Sequence, residues 1–487
     1  MSGEAPPRPA SPSERKRDLL AALLRERGLA PNGSAIPRRG AADAPLSFAQ
    51  QRLWFLEQLE PGLPVYNITG AIRLRGPLDR AALQRSLGEI VRRHQVLRAT
   101  FVEIGGEPRQ QVAAGPIELP LCDLGTLPEV RRAAEMLERA KAQARRPFDL
   151  ARGPYLRLEL VRAAADDHAL LLALHHAVAD GLSLGIFVRE LRALYAAFRE
   201  GRPSPLPDLP VQYGDFAAWQ RERLQGETLQ GHLDYWRGLL RDVPTLELPT
   251  DRPRPPVQSF HGDRRSLLMS PALVDSLRAL ARGEGTTLFV VLLAAFQVLL
   301  HRYTRQPRLA VGSPIAGRTR SELESLIGFF ANTLVLPADF SGAPSFRDIV
   351  DRARRVVLGA EAHQELPFER LVEELDPDRD VSRSPLFQVA FAFQQSQPAA
   401  GLPVCGLSFQ PVGIDADVSK FDLTLYATDT PNGLLTSAEF RTDLFEGGRI
   451  ERMLGHYQRV VEEVVREPGQ RVSRLSYVGE EERRRVV

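Results

Sequence analysis

Six apolar residues in a row, Ala169-Leu170-Leu171-Leu172-Ala173-Leu174, end abruptly in His175-His176-Ala177-Val178-Ala179-Asp180-Gly181 and pass into Ser183-Leu184-Gly185-Ile186-Phe187-Val188-Arg189-Glu190-Leu191. A short continuous apolar run reads as a strand buried on both faces. The stripe Leu184, Phe187, Val188, Leu191, Leu194, Tyr195 and Phe198 has the spacing of one helix face and stops at Gly201, before Pro203. Two histidines and an aspartate therefore fall in the turn between a buried strand and a helix, where a rigid scaffold exposes reactive side chains. A histidine that must present one ring nitrogen needs a fixed loop, and a carboxylate braces such a loop by pairing with a cation elsewhere. This stretch predicts chemistry, without saying which.

The rest of the chain must supply cover for that strand. At 487 residues it is too long for one average core and predicts two domains. Tyr66 to Leu74 alternates, with Ile68, Ile72 and Leu74 on one side, and predicts a strand. Asp79 can then cap a helix bearing Leu83, Leu87, Ile90 and Val91. Phe101 to Ile104 and Gln110 to Val112 flank Gly105-Gly106 as a hairpin; a helix from Pro128 to Arg145 and a Leu156, Leu158, Leu160 strand follow. The interleaving predicts an α/β (α+β) sandwich with helices on one face of a sheet.

After the proline-rich connector 203–210 and a helical Tyr213-to-Leu224 segment, the pattern restarts. Arg264 to Met269 predicts a strand, Ser270-Pro271 a helix start, Thr287 the cap of an apolar helix to Tyr303, and Leu309 to Ile315 another strand. The expected division is a linker at 1–43 with one short helix opened by Ser11-Pro12-Ser13-Glu14, an N-terminal lobe at 44–225, a C-terminal lobe at 226–480 and the start of a further linker at 481–487. A site between two such lobes is the default place for chemistry.

Composition narrows the classes. A net charge of +2 implies no general nucleic-acid surface. Lys16, Lys141 and Lys420 are the only lysines, which reads as genome composition and not as a binding surface. Cys122 and Cys405 stand far apart with no histidine cluster, so no metal site or disulfide is expected. The run Leu288 to Phe296 is too short to span a bilayer, and residues 1–43 lack an apolar signal core; the expectation is a cytoplasmic protein with no membrane contact.

The His-His-x-x-x-Asp-Gly stretch resembles the signature of the condensation domains of nonribosomal peptide synthetases; its His-x-x-x-Asp part is shared with chloramphenicol acetyltransferase. Ser47 to Leu56 (SFAQQRLWFL) resembles that family's first motif and Arg93 to Phe101 (RHQVLRATF) its second. Tyr213 to Gln220 (YGDFAAWQ) resembles the fourth, Ile327 to Thr333 (IGFFANT) the fifth, and His363 to Glu369 and Arg379 to Leu386 the last two. Lys420-Phe421-Asp422-Leu423 extends the likeness towards the C-terminus. Three positions depart from the pattern: Leu182 for the usual Trp, Ala331 for Val and Pro337 for Arg, which bear on substrate choice more than on fold.

The resemblance implies two chloramphenicol-acetyltransferase-like lobes in a V with a tunnel entered from both sides. An upstream carrier protein would bring the donor acyl or peptidyl thioester and a downstream carrier protein the acceptor aminoacyl thioester, each on a 4′-phosphopantetheine arm, with no cofactor bound by the domain itself. It implies that His176 faces the meeting point, that His175 is structural, that Asp180 pairs with an arginine best matched by Arg318, and that Asn332, Thr333 and Ser183 line the site. The final Glu480-to-Val487 segment resembles a linker into an adenylation domain, and the opening motif resembles the subtype joining an L-donor to an L-acceptor.

The residues leave some roles open. His176 can act as a general base or hold the amine in place. The Gly181 backbone N–H can donate to an oxyanion, or the glycine can serve only a turn conformation. His94, His301 and His363 are expected to be packing or surface residues, and Gln50 and Arg52 to act structurally within the N-terminal lobe. Competing functions are an epimerisation domain, a starter domain taking a fatty-acyl donor, a coenzyme A acyltransferase, whose Asp-Phe-Gly-Trp-Gly motif is missing, and a non-catalytic recruitment platform.

Overall fold

The structure, a computed structural model, describes residues 35–40, 43–113, 115, 117–375, 380–395, 403–414, 417–479, 482 and 484. The short helix expected near residue 11, and most of 481–487, lie outside them. In chain order the first half comprises β1 (Asp43–Pro45), α1 (Phe48–Leu59), β2 (Asn67–Arg75), α2 (Arg80–Arg93), β3 (Ala99–Ile104), β4 (Glu107–Val112), β5 (Leu121–Asp123), α3 (Glu129–Arg145), β6 (Leu156–Ala164), β7 (Asp167–His175), α4 (Gly181–Arg199) and α5 (Tyr213–Arg223). The second comprises α6 (Gly226–Leu240), β8 (Gly262–Met269), α7 (Pro271–Gly283), α8 (Leu288–Thr304), β9 (Arg308–Ile315), β10 (Asn332–Asp339), α9 (Phe346–Ala362), α10 (Phe368–Leu375), β11 (Val389–Gln395), β12 (Ser408–Val412), β13 (Leu423–Thr430), β14 (Gly433–Arg441) and α11 (Gly447–Arg466).

Strand β7 is central in a five-stranded sheet of order β12-β2-β7-β6-β5, antiparallel to both neighbours. Side chains alternate along a strand. Leu170, Leu172 and Leu174 join Leu83, Leu87 and Ile90 of α2 and Ile186, Leu191 and Leu194 of α4. Ala169 and Leu171 instead meet Ala140 of α3, with Ala71 and Val161, on the opposite face. The expectation of helices on one face is thereby corrected, because a strand apolar on both sides needs cover on both. The Asp79 side chain caps α2 by accepting from Ala82 N at 3.0 Å. The 105–106 hairpin forms, but β3 and β4 belong to a separate three-stranded sheet with β1.

The second half builds a six-stranded mixed sheet of order β10-β9-β11-β13-β14-β8, its own core running through α8, which is buried from Val290 to Leu300. Two of its segments leave for the first half. Strand β12 pairs antiparallel with β2 from Ser408 opposite Arg75 to Val412 opposite Ala71. Leu323, Leu326, Ile327 and Phe330, between β9 and β10, pack into the first core. That second excursion brings the halves together around the His175-to-Gly181 loop. Among the described residues, no single helix is long and apolar enough to cross a membrane.

Candidate active site

The loop after β7 is bolted from within. His175 is buried among the rings of Tyr66, Phe148 and Tyr155, and its Nδ1 accepts from Ala177 N at 3.1 Å. That contact leaves the proton of the neutral ring on Nε2. Gln50 of α1 donates to Ala177 O at 3.0 Å, and Ala177, Val178 and Ala179 are fully buried. Asp180 caps α4: its Oδ1 accepts from Ser183 N at 2.9 Å, while its own N donates to Ser183 Oγ at 3.2 Å. This reciprocal cap satisfies orphan N–H groups at the helix start and sets the exit angle of the loop.

Arg318, on the segment between β9 and β10, completes the brace. Its Nη1 donates to Asp180 Oδ2 at 2.6 Å and its Nη2 to Oδ1 at 3.1 Å; Phe330 N adds a third donor to Oδ2 at 3.1 Å. The guanidinium also donates to Leu323 O and Leu326 O and lies 4.5 Å from the Phe330 ring centroid. Both partners are almost wholly buried, so the desolvation cost is met by a saturated hydrogen-bond set and not by Coulomb attraction alone. Gly317 precedes Arg318 with φ +62°, and a Cβ there would stand 1.9 Å from Phe330 O, so the tight return of this segment requires glycine.

Ser183, expected to line the site, lies instead inside this brace. It is fully buried, and its Oγ donates to Asp180 Oδ1 at 2.8 Å and accepts from Gly328 N at 3.2 Å. A hydroxyl at the third position of a helix turns back to its own cap.

His176 faces the other way. It is half-buried, its N donates to Tyr66 O at 2.8 Å, and its ring meets Phe329 edge to face at 4.5 Å between centroids. Its Nδ1 is buried without a hydrogen bond of ordinary geometry, so Nε2 is the nitrogen left for a substrate. Burial first, and then the charges of Lys420 and His175, hold the ring well below the usual histidine range; the neighbouring backbone of residues 176 and 179 opposes this weakly. His175 is pushed down to about 3 by burial, with Lys420 and Arg157 adding to it. Both imidazoles are neutral near pH 7.

Gly181 opens α4 as an exposed residue whose N–H is one of the helix-start donors without an intrahelical partner. Its φ lies outside the left-handed region and an added Cβ would meet nothing within 4 Å. Neither conformation nor packing within the chain demands glycine at this place.

Asn332 knits the junction together. Its Nδ2 donates to Gln364 O and Leu366 O at 3.0 and 2.8 Å, and its Oδ1 accepts from Phe368 N at 2.9 Å. It lines a cleft between the halves with Phe329, Phe330, Trp219, Gln364 and Glu365. Thr333, the next residue of β10, is not among the residues lining that cleft and gives its N–H to Asn332 Oδ1 at 2.8 Å.

Arg52, expected to act within the N-terminal lobe, instead reaches across the junction. Its Nη1 meets Glu369 of α10 at 3.1 Å, a tie that no local pattern announces. Lys420, marked in the sequence only by the scarcity of lysine and by the Lys420-to-Leu423 likeness, acts electrostatically on both histidines. His94 is fully buried, paired with Glu190 at 3.0 Å and accepting from Ile327 N at 3.1 Å; His301 stacks on Phe340 and His363 on Tyr235. All three pack.

A family model described as "Condensation domain" matches residues 41–487. The chain is 45% identical over 467 residues to chondramide synthase cmdD of Chondromyces crocatus, covering 96% of this chain and 12% of the relative. It is 44% identical over 477 residues to a component of the linear gramicidin synthase of Brevibacillus parabrevis, covering 96% of this chain and 6% of that one. It therefore spans only a small part of the length of these synthases. Among solved structures, the X-domain in complex with OxyB from teicoplanin biosynthesis matches with a TM-score of 0.82 at 27% identity, over 92% of this chain and 99% of that chain. Signature loop, two-lobed architecture and matches of this extent agree: the chain belongs to the condensation-domain family of nonribosomal peptide synthetases, amide-bond-forming domains of acyltransferase type with the chloramphenicol-acetyltransferase-like fold.

Proposed function

We propose that this domain joins a donor acyl or peptidyl thioester to the α-amine of an acceptor aminoacyl thioester, both carried on the phosphopantetheine arms of carrier proteins, with an adenylation domain as its downstream neighbour and an L-configured donor and acceptor as substrates. The observation that carries this reading is the placement of the neutral His176 ring against Phe329 of the other half, on a loop that Asp180 and Arg318 hold from both halves.

The chemistry asks little of a strong base. An α-amine has a pKa near ~8, so a useful minority is neutral at pH 7, and a thioester is an activated acyl donor. Tethering both substrates and aligning them supplies up to ~7–11 kcal/mol in ideal cases. The amine nitrogen forms its bond to the donor carbonyl carbon, giving an oxyanion and an ammonium in the same intermediate. That ammonium is far more acidic than the free amine, and a neutral imidazole of low basicity can take its proton. The carbon–sulfur bond then breaks, and the departing thiolate receives the proton. The unpartnered Gly181 N–H, at the positive end of the α4 dipole, is the group suited to the oxyanion, and its open flank lets a substrate approach closely.

Reconstitution with matched loaded carrier proteins tests the reading. His176→Ala should lower the condensation rate by roughly 10²- to 10⁴-fold and leave the melting temperature close to wild type. A fully active His176→Ala would end the assignment of chemistry to this loop.

A further inference from the structure

One charged group beside the histidines has no part in the chemistry above. Lys420 lies just before β13, and its Nζ sits 5.4 Å from the centroid of the Tyr66 ring, across the junction in the first half. Tyr66 is the same residue whose carbonyl holds the His176 N–H at 2.8 Å and whose ring stands 6.3 Å from that of His175. One residue thus carries the ammonium on its face and the catalytic loop on its backbone.

The lysine is well anchored. Gln258 Nε2 donates to Lys420 O at 2.9 Å, Ser419 N donates to Phe260 O at 2.9 Å, and Asp422 accepts from Arg254 Nη1 at 3.0 Å and Arg441 Nη1 at 3.3 Å. Its ammonium has no such support: among the described residues, no carboxylate oxygen comes within 4 Å of it. A cation that is merely structural is normally paired when it is withdrawn from water. Among the described residues the face of the Tyr66 ring is its close partner.

We infer that Lys420 is a positioning residue of the site: its ammonium, delivered from the C-terminal half onto the face of Tyr66, adds to burial in keeping the His176 ring a neutral acceptor for the proton of the acceptor amine. This rests on the condensation reading of His176. The charged and titratable groups acting on the His176 ring are Lys420 and His175. Those acting on Lys420 are Glu439 of β14, which favours its charge, and Arg52 of α1, which opposes it; burial outweighs both and pushes the ammonium down to about 8. The charge is therefore present at neutral pH and fades above pH 8.

The sign of the effect follows. Removing the positive charge makes protonation of His176 easier, so the acidic limb of the pH–rate profile moves upward. In Lys420→Met the acidic limb should lie at higher pH than in wild type, so that its rate loss deepens as pH falls along that limb and vanishes towards pH 8. Lys420→Arg, which keeps the charge, should restore the wild-type limb.

A second readout needs no substrate. In the domain with ring-labelled histidine, the NMR signal absent from His176→Ala identifies His176, and its titration midpoint should rise in Lys420→Met. An unmoved midpoint overturns the inference whatever the reaction proves to be, as does a rate loss in Lys420→Met equal at pH 6 and pH 8. Should Lys420→Met fail to fold, Lys420→Arg decides: a displaced acidic limb or midpoint in that variant refutes the role. An active His176→Ala would sink the reading of the reaction and leave the titration result standing on its own.

Discussion

On one side of the lobe junction Asp180 and Arg318 meet with side chains 2% and 4% exposed; on another, Asp417 meets Lys141 at 3.2 Å and Arg145 at 3.0 Å with side chains 44%, 24% and 60% exposed. Both are ion pairs joining residues far apart in sequence, yet they behave as different kinds of bond. The buried carboxylate is saturated by donors from Ser183, Arg318 and Phe330, and removing either member of the ion pair strands the other's charge out of water. The exposed one trades protein contacts for water contacts at little cost and is screened by salt. A buried seam is a lock, and an exposed seam is a catch.

The contrast can be broken most decisively at Asp180. Asp180→Asn keeps the shape but leaves the Arg318 charge buried without its counter-ion, and should destabilise the domain by about 3–5 kcal/mol, read as a lower urea midpoint and melting temperature. Wild-type stability with lost activity would remove the bracing role and leave Asp180 as part of the chemistry.

Acid should act on the buried side. His175 is held neutral, with its pKa pushed down to about 3 against an ordinary 6.5, so the unfolded chain binds the proton more readily. The stability this contributes is complete above pH 6.5 and is lost progressively as pH falls from there towards 3. Between pH 6.5 and 5 the loss from this one ring is about 2 kcal/mol, measurable as a fall in the urea midpoint. His175→Asn, which keeps an acceptor for Ala177 N–H, should flatten that part of the slope; an unchanged slope would place the acid sensitivity elsewhere.

Asp417→Asn gives the smallest effect. It should shift stability by at most about 1 kcal/mol, and the difference from wild type should shrink in roughly 0.5 M salt, where screening is strong. A cost comparable to that of Asp180→Asn would erase the distinction between the two seams.

How far the sequence discloses this arrangement depends on the range of the interaction. Strand β7, the Asp79 cap and helix α4 are written in local sequence, and the structure places them within a residue or two of expectation, whereas the capping of α4 by Asp180 is visible only in the structure. Arg318 as the partner of Asp180 came only through the family likeness, since 138 residues separate them and no periodicity links them. Helix α3 carries only Ala140 and Ala144 as fully buried residues, small side chains on an otherwise polar helix, so nothing marked the face of the sheet it would cover. Ser183 shows the opposite failure: the family likeness implied a site-lining residue, while the cap geometry turns its hydroxyl inward onto Asp180.

Strand β12 bears on how such a domain is made. The edge of β2 is closed by residues that lie about 330 positions further along the chain. At roughly 5–20 residues per second on the ribosome, the first half emerges tens of seconds before its last strand exists. During that interval β2 offers a row of unpaired N–H and C=O groups, the template on which chains pair wrongly with one another. A chain cut before Ser408 never closes that edge, so a piece that carries the two histidines on a complete five-stranded sheet extends to Val412 at least.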